Sequence, residues 1–293
     1  MVSTRILASL GSLILGLAVT AGPAPAQAAP TDPPALPAQS EITALTYNLA
    51  GAVGKPMPAG RIHPFTDAVA NHARAVGAEV IGLQEVCAAQ AQAIMSGLGP
   101  GYRMSFTTAT SPKRCDDYLS RAQKKKYGMR AGTAIIVKSP TIANVSVTQL
   151  RWKSDLPGAV GRQPRQLTCL TASMGAPVTV CNTHLSPSLG GGLAIRQQVT
   201  VVSAELARYA TGRLLFTCDC NTNAARTDQP GQFARLTAGL LNPDLNHIGR
   251  KGHGDEPSID HVLGGRTAQV RKPTTLEVDT PSDHPYVQAT LLV

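Results

Sequence analysis

The sequence predicts an α/β domain in which two mixed β-sheets face each other and helices cover their outer surfaces. The first observation is a β-α-β pattern, in which apolar runs at residues 42–48 and 80–83 flank an amphipathic segment at residues 64–76. The second is a series of β-like runs at residues 133–184 without helical patterns between them, which is typical of antiparallel neighbours. The third is length, since about 250 residues suit one large domain better than two.

The N-terminal region has the features of a secretion signal peptide. Arg5 supplies a positive charge, residues 6–19 form an apolar run, and Ala26-Gln27-Ala28 is a small-residue cleavage site. The apolar run is shorter than the ~20 residues that span a bilayer. We therefore expect a secreted protein with a signal peptide at residues 1–28, a Pro- and Ala-rich lead-in at residues 29–40 and a folded domain at residues 41–293.

Periodicity places the remaining elements along the chain. Helices are predicted at residues 87–98, after Gly192 as far as Tyr209, and at residues 232–241. Strands are predicted at residues 102–108, 133–138, 142–149, 166–172, 178–184, 213–218, 259–263, 268–270 with 274–278, and 285–292. Residues 111–130 are interpreted as a long polar loop. The run Gly190-Gly191-Gly192 lacks the Lys-Ser/Thr ending of a P-loop and is interpreted as a flexible connector.

Six cysteines in an exported chain indicate disulfides. Cys169 and Cys181 lie in two β-like runs joined by a turn, so a bridge across a hairpin is favoured. A second bridge, between Cys87 and Cys115, would tether the polar loop beside the motif that contains Glu85.

Cys218 and Cys220 are expected to be buried thiols. Side chains two residues apart on one strand share a face, but they lie too far apart for easy disulfide geometry. A Cys-x-Cys metal site is the alternative, and it is disfavoured because no second Cys or His pair lies near it in the sequence.

Six polar motifs follow or end β-like runs, which is where a sheet delivers catalytic side chains. They are Tyr47-Asn48, Gln84-Glu85, Asn182-Thr183-His184, Cys218-Asp219-Cys220-Asn221, Ile259-Asp260-His261 and Ser282-Asp283-His284. They present carboxylates, carboxamides and imidazoles without a nucleophile elbow. This combination indicates metal-assisted attack by water on a phosphate ester.

Hydrolysis of a phosphodiester needs neutralised charge, an ionised water and a stabilised leaving oxygen. Mg²⁺ or Mn²⁺ held by oxygen ligands supplies the first and third requirements. The side chains suited to hold such an ion are Asn48, Glu85 and Asp283. An Asp or His close to the attacking water supplies the second requirement. The side chains suited to that task are His184, Asp219 and His284.

In these residues the chain resembles the endonuclease/exonuclease/phosphatase superfamily, which has the DNase I-like fold. The matching motifs are Asn48 in Thr-Tyr-Asn, Glu85 in Leu-Gln-Glu-Val, His184 in Asn-Thr-His-Leu, Asp219 and Asn221 in Cys-Asp-Cys-Asn, Asp260 in Ile-Asp-His-Val and Asp283-His284 in Ser-Asp-His-Pro. They occur in the family order between residues 42 and 292. The resemblance implies a four-layer α/β sandwich with the site at the top of two packed sheets.

The resemblance also implies a role for each matching residue. Glu85, with Asn48 and Asp283, would hold the divalent metal, and Asp219 would orient or deprotonate the attacking water. The side chains that would bind the scissile phosphate are His184 and Asn221. His284 would form an acid–base pair with Asp260. Arg165 would match a phosphate-contacting arginine of the family, and Tyr127 with Gly128 would border the site.

This chain departs from the family pattern in two places. The family usually has Gly-Asp-Phe/Leu-Asn where this chain has Cys218-Asp219-Cys220-Asn221. No equivalent is found for the glutamate that some members place against the first histidine. His184 is therefore expected to lack an orienting carboxylate unless Asp116 or Asp117 supplies one.

The formal net charge of +9 favours a polyanionic substrate, so a nuclease acting on DNA or RNA is the leading hypothesis. The basic segment that includes Lys124, Lys125 and Lys126 is the expected contact region, and a merely solvated loop is its alternative reading. A sphingomyelinase or other phospholipid hydrolase shares the chemistry, but aromatic residues are sparse, with a single tryptophan. An inositol-phosphate phosphoesterase and an inactive secreted binding protein stay open.

The expected cofactor is Mg²⁺ or Mn²⁺, and a structural Ca²⁺ stays open. The sequence implies no protein partner, and a monomer is expected.

Overall fold

The computed structural model describes residues 39–49, 62–110, 115, 120–150, 164–187, 192–228, 230–241, 258–277, 282 and 284–293. The predicted signal peptide and residues 29–38 of the lead-in lie outside the described residues, as do Asp116, Asp117 and Asp283. Among the described helices, none is long and apolar enough to cross a membrane.

Within the described residues, the first sheet is built mainly from the N-terminal half of the chain. Its strands are β1 (Glu41–Asn48), β2 (Val80–Cys87), β3 (Tyr102–Thr110), β4 (Ala131–Lys138), β11 (Gln269–Glu277) and β12 (Tyr286–Leu292). They lie in the order β11-β12-β1-β2-β4-β3. β1 and β2 are parallel and the other neighbours are antiparallel, so the predicted β-α-β unit is confirmed.

The second sheet takes its described strands from residues 142–265. They are β5 (Ile142–Leu150), β6 (Arg165–Met174), β7 (Ala176–His184), β8 (Leu214–Asp219), β9 (Leu240–Leu241) and β10 (Asp260–Gly265). Their order is β5-β6-β7-β8-β10-β9. β7 and β8 are parallel and the other pairs are antiparallel. Each sheet therefore contains one parallel pair near its centre.

Helices cover the outer face of both sheets. The described helices are α1 (Ile62–Ala75), α2 (Ala88–Leu98), α3 (Arg121–Tyr127), α4 (Leu193–Ala207) and α5 (Gln232–Thr237). α1 and α2 pack on the first sheet through a buried cluster that includes Val69 and Ile94, whereas α4 and α5 pack on the second through Val199 and Leu236. A third cluster fills the space between the sheets. The predicted four-layer α/β sandwich is confirmed.

The central strands are buried on both faces, which is why their sequences are nearly continuous apolar runs. In β1, Ile42 and Ala44 enter the cluster between the sheets, while Leu45 and Tyr47 enter the cluster beneath the helices. This alternation follows from the two-residue period of a strand. The same period sets which face of the sandwich each polar side chain meets at the strand ends.

Three predicted elements differ from the structure. The segment interpreted as a loop contains α3, whose Arg, Gln and Lys residues are polar but are also good helix formers, as is its Ala. The helix predicted at residues 232–241 ends at Thr237, because Gly239 has a φ of 83° and the chain then enters β9. The strands predicted at residues 268–270 and 274–278 form one irregular strand, β11.

β4 and β5 are not antiparallel neighbours, as their adjacency in sequence had suggested. They belong to different sheets. The chain crosses between the sheets at Ser139 and Pro140, and the Ser139 hydroxyl lies within hydrogen-bond distance of the carbonyls of Thr141 (2.6 Å) and Ser173 (2.9 Å). Proline cannot continue a ladder of backbone hydrogen bonds, so a change of sheet is favoured at this point.

Three disulfides are present. The bridges predicted for Cys169–Cys181 and Cys87–Cys115 are both formed. The prediction that Cys218 and Cys220 are free thiols is wrong, since they are bonded to each other with their Cα atoms 5.1 Å apart. An extended strand would separate residues two apart by about 6.6 Å. Cys220 lies just beyond the end of β8, where the backbone has already begun to turn.

Gly82 of β2 faces Asn182 of β7 and Thr217 of β8 in the opposite sheet. A Cβ built there would be 2.6 Å from the Cβ of Thr217 and 2.9 Å from Oδ1 of Asn182. We expect Gly82→Ala to lower the free energy of unfolding by about 1–3 kcal/mol, because the added methyl forces the sheets apart. Urea unfolding measures this. Exposed Gly212, whose added Cβ would meet its nearest atom at 3.4 Å, gives the control Gly212→Ala. Equal stability of the two variants would contradict the expectation.

Candidate active site

The parallel strand pairs bring several predicted residues to one edge of the sandwich. Asn48 ends β1, His184 ends β7 and Asp219 ends β8, while Asp260 begins β10. In the second sheet His184 and Asp260 are the register partners of Asp219 on either side. The carboxyl ends of parallel strands meet at the same edge, so residues far apart in sequence converge here.

Asp219 lies at the centre of the cluster and is 1% exposed. Its Oδ2 accepts a hydrogen bond from the amide nitrogen of Asn48 (2.7 Å) and lies 3.1 Å from Nε2 of His184. Its Oδ1 accepts the backbone N–H of Asn221 (3.0 Å). Burial alone would raise the pKa of Asp219, but His184, His284 and Asn48 outweigh it and hold that pKa well below its usual range. Asp219 is therefore a buried, anionic acceptor.

The tautomer of His184 follows from its two ring nitrogens. Nη1 of Arg165 lies 2.5 Å from Nδ1 of His184. A guanidinium only donates, so Nδ1 must accept and the ring proton is assigned to Nε2, which faces Asp219. Oε1 of Glu85 is 3.8 Å from Nδ1. The expectation that His184 lacks a carboxylate partner is thus wrong, because Asp219 faces its Nε2.

His284 and Asp260 form a second buried pair. Nδ1 of His284 is 2.8 Å from Oδ2 of Asp260. Burial raises the pKa of Asp260, and the negative charge of Asp219 raises it further, against the opposing effect of His284. The environments of the two aspartates therefore push their pKa values in opposite directions. Such a separation is typical of sites that hold one base and one acid.

Glu85 lies at an irregularity in β2, between the paired residues Leu83 and Val86. Its φ of 48° is in the left-handed region, which is unusual for a residue other than glycine. Asn221 has the same φ of 48°. Backbone strain of this kind tends to occur at functional sites, where surrounding contacts maintain it.

The oxygen donors at this edge fit a hard divalent cation. Because the amide nitrogen of Asn48 is bonded to Asp219, the orientation of the carboxamide is set and its oxygen is the end suited to a cation. The Glu85 side chain is 14% exposed beside His184. Asp283 lies outside the described residues, so the structure does not place the third predicted ligand.

A second set of donors could also hold a cation. Ligand atoms of Asp219, Asp260 and His284 all lie within 4.8 Å of one another. Here, however, the Nδ1 atom of His284 is already hydrogen-bonded to Asp260. The first set offers oxygen alone, which Mg²⁺ prefers, and the second includes an imidazole.

A buried polar network that the sequence motifs only hinted at lies beneath the site. The amide nitrogen of Gln84 donates to Asn182 (2.7 Å) and to Thr46 (3.0 Å). That of Asn182 donates to the carbonyls of Leu83 and Ala134, both at 3.0 Å. These bonds join β7 of one sheet to β2 and β4 of the other. They hold the two halves of the site in register.

Ser282 holds the segment that carries His284. Its hydroxyl donates to the carbonyl of Asn48 (2.8 Å) and accepts the backbone N–H of His284 (3.2 Å). Its own N–H donates to the hydroxyl of Tyr47 (3.1 Å). Ser282 was part of a motif in the sequence, but its anchoring role depends on contacts that sequence spacing does not reveal.

The predicted substrate-binding residues separate into two groups. Arg165 begins β6 and joins the cluster through His184. Tyr127 lies on α3 and packs against the buried group of Cys87, Ala89, Cys115 and Ala131. On the same helix Lys125 and Lys126 are exposed and Lys124 is partly exposed. No described contact joins α3 to Asp219.

Known proteins resemble this chain in sequence pattern and in fold. The model of the endonuclease/exonuclease/phosphatase family matches residues 45–284. No curated protein matches the chain closely enough to be informative.

Among solved structures, a family protein from Bacteroides thetaiotaomicron is 19% identical, with a TM-score of 0.61 over 87% of this chain and 98% of that one. A mannosyl-6-phosphatase from the same organism is 19% identical, with a TM-score of 0.60 over 86% and 100%. Truncated Caenorhabditis elegans TDP2 is 18% identical, with a TM-score of 0.62 over 86% and 98%. At these identities the structures show the shared fold. With the family model covering most of its length, this chain belongs to the endonuclease/exonuclease/phosphatase family of phosphoesterases.

Proposed function

We propose that this protein is a secreted, metal-dependent phosphodiesterase that hydrolyses nucleic acid by attack of water on phosphorus. The observation that carries the proposal is the buried cluster around Asp219, in which an anionic acceptor, two imidazoles and an amide meet at one sheet edge. These are groups that phosphate ester hydrolysis requires. The cation, when bound by Glu85 and Asn48 with Asp283, neutralises phosphate charge.

Asp219 is proposed to accept the proton of the attacking water. Its low pKa keeps it anionic at neutral pH, and three donors fix its two oxygens. His184 cannot take this part while its Nε2 proton is directed at Asp219 and Nδ1 accepts from Arg165. Arg165 is instead proposed to present positive charge and N–H groups towards a phosphate, and His184 holds the guanidinium in place by accepting a hydrogen bond from it. Asn221, fixed by its bond to the carbonyl of Leu185 (2.8 Å), is proposed to assist them.

His284 and Asp260 are proposed to act as the acid–base pair on the leaving oxygen. A proton held between Nδ1 and the buried carboxylate fixes the orientation of the ring, with Nε2 on the side away from Asp260. The raised pKa of Asp260 helps this pair to retain a proton next to anionic Asp219.

A polyanionic substrate is favoured by the charge of the chain and by α3. The formal net charge is +9, and α3 contributes Arg121 with three consecutive lysines and no acidic residue in its first turn. Lysine side chains of this kind bind phosphates along a nucleic acid regardless of base sequence. Secretion is supported by the three disulfides, which persist in oxidising compartments.

Purified mature protein should degrade plasmid DNA or RNA in Mg²⁺ or Mn²⁺ and lose that activity in EDTA, because the divalent cation neutralises the charge of the phosphodiester. Adding excess Mg²⁺ after EDTA should restore cleavage. Gel electrophoresis measures cleavage of the nucleic acids. In parallel, phosphate release measures hydrolysis of mannose 6-phosphate and an inositol phosphate, and choline phosphate release measures hydrolysis of sphingomyelin.

Each alternative has its own outcome in this panel. Lipid or monoester hydrolysis without nucleic-acid cleavage would overturn the proposed substrate. Full activity in EDTA would overturn metal dependence. Binding of DNA without hydrolysis of any substrate would favour an inactive binding protein.

A further inference from the structure

The Cys218–Cys220 disulfide encloses the central aspartate of the site. The two bonded residues are the immediate neighbours of Asp219, and both are fully buried. A bridge between residues two apart closes a very small loop. Such a loop removes little entropy from the unfolded chain, so general stabilisation is a weak explanation for this bridge.

The two cysteines and the aspartate point to opposite faces of β8. Cys218 and Cys220 belong to the buried cluster beneath α4 and α5, together with Leu214 and Phe216 of the same strand. Asp219 is on the other face, where it meets Asn48 of the opposite sheet. This is the alternation expected of a strand. The bridge thus restrains the end of β8 on the helix-covered face, while the Asp219 carboxylate projects into the site from the opposite face.

Strand β8 ends at Asp219, between the two bonded cysteines. Cys220 still donates its N–H to the carbonyl of Ile259 (2.9 Å), but Asn221 already has a φ of 48°. The Asp219 carboxylate lies beside these two constraints. It contacts Asn48, His184 and the N–H of Asn221 simultaneously. A displacement of about 1 Å at a reacting group can reduce turnover by roughly 10²-fold.

We propose that the Cys218–Cys220 disulfide is a positioning element that holds the carboxylate of Asp219 in its reactive orientation. The inference rests on the proposed function, in which Asp219 activates water. The disulfide does not contact substrate; it acts through the backbone on either side of Asp219.

The test compares two disulfide-free variants of the full mature protein on plasmid DNA. For Cys218→Ala/Cys220→Ala we expect kcat to fall by about 10- to 100-fold with KM within about twofold and little change in the melting temperature. The control is Cys169→Ala/Cys181→Ala, which removes a bridge between cysteines 12 residues apart. For this control we expect a loss of stability with kcat nearly unchanged. Its melting temperature should fall on the order of 5–10 °C with kcat within about twofold.

A second disulfide-free variant, Cys218→Val/Cys220→Val, fills the space of the lost sulfur atoms with apolar side chains and guards against loss of the fold through a cavity. It should show the same loss of kcat at near parental melting temperature. Parental kcat in either variant, or falls in kcat and melting temperature that match the control, would overturn the positioning role. Asp219→Asn is measured alongside. If that variant keeps parental activity, the role of Asp219 itself fails; if it is inactive while the cysteine variants are fully active, the disulfide proposal alone fails.

Discussion

Replacing Asp219 with asparagine is expected to lower kcat by about 10³-fold, within the range of 10²–10⁴ that general acid–base groups contribute. The carboxylate accepts bonds from Asn48, from His184 and from the N–H of Asn221, and it donates none. The substitution removes the negative charge that would accept the proton of water. It also turns one acceptor into an NH₂ group that faces other donors, so the His184 orientation is lost as well.

Steady-state cleavage of plasmid DNA at saturating Mg²⁺ measures this effect, and urea unfolding separates it from loss of structure. A buried donor left without an acceptor costs about 1–3 kcal/mol, which a folded domain of this size can tolerate. The matched control is Asp228→Asn, because Asp228 is an exposed partner of Arg226. The control should keep parental kcat. A kcat for Asp219→Asn within tenfold of the parent would remove Asp219 from the mechanism.

Much of the candidate site could be predicted from the sequence, because its polar residues stand at the ends of recognisable strands. Asn48, His184 and Asp219 each end an apolar run, and the ends of parallel strands share an edge. A β-α-β pattern is sufficient to predict one parallel pair. The hairpin between β6 and β7 likewise placed Cys169 opposite Cys181, as their register confirms.

The remaining features depend on contacts between sheets that local periodicity does not encode. Arg165 reaches His184 because β6 and β7 are antiparallel neighbours, a relation that residue spacing alone does not fix. The Asn182 amide looks like one more strand-end polar group in sequence, yet it bonds carbonyls of the opposite sheet. The Cys218–Cys220 bridge forms because β8 ends at Asp219, so that Cys220 is no longer part of the extended strand. Element boundaries are the least predictable property of a sequence.

Glu85→Gln is expected to raise the Mg²⁺ concentration needed for half-maximal activity by at least about 10- to 100-fold, the range seen when even indirect support of a metal ligand is lost. Glutamine keeps the shape of the side chain but removes the charge that attracts a hard cation. Titrating Mg²⁺ at fixed DNA gives the activation midpoint. The rise in melting temperature with added Mg²⁺ gives an independent measure of binding to the folded protein.

Asp260→Asn is the variant that distinguishes the two sets of cation donors. If Glu85 and Asn48 hold the ion, this change should lower kcat, because it removes the carboxylate partner of His284, and should leave the Mg²⁺ midpoint in place. If Asp219, Asp260 and His284 hold the ion, Asp260→Asn should shift the midpoint and Glu85→Gln should not. The left-handed backbone of Glu85 favours the first result, since that strain directs a carboxylate to the sheet edge beside His184.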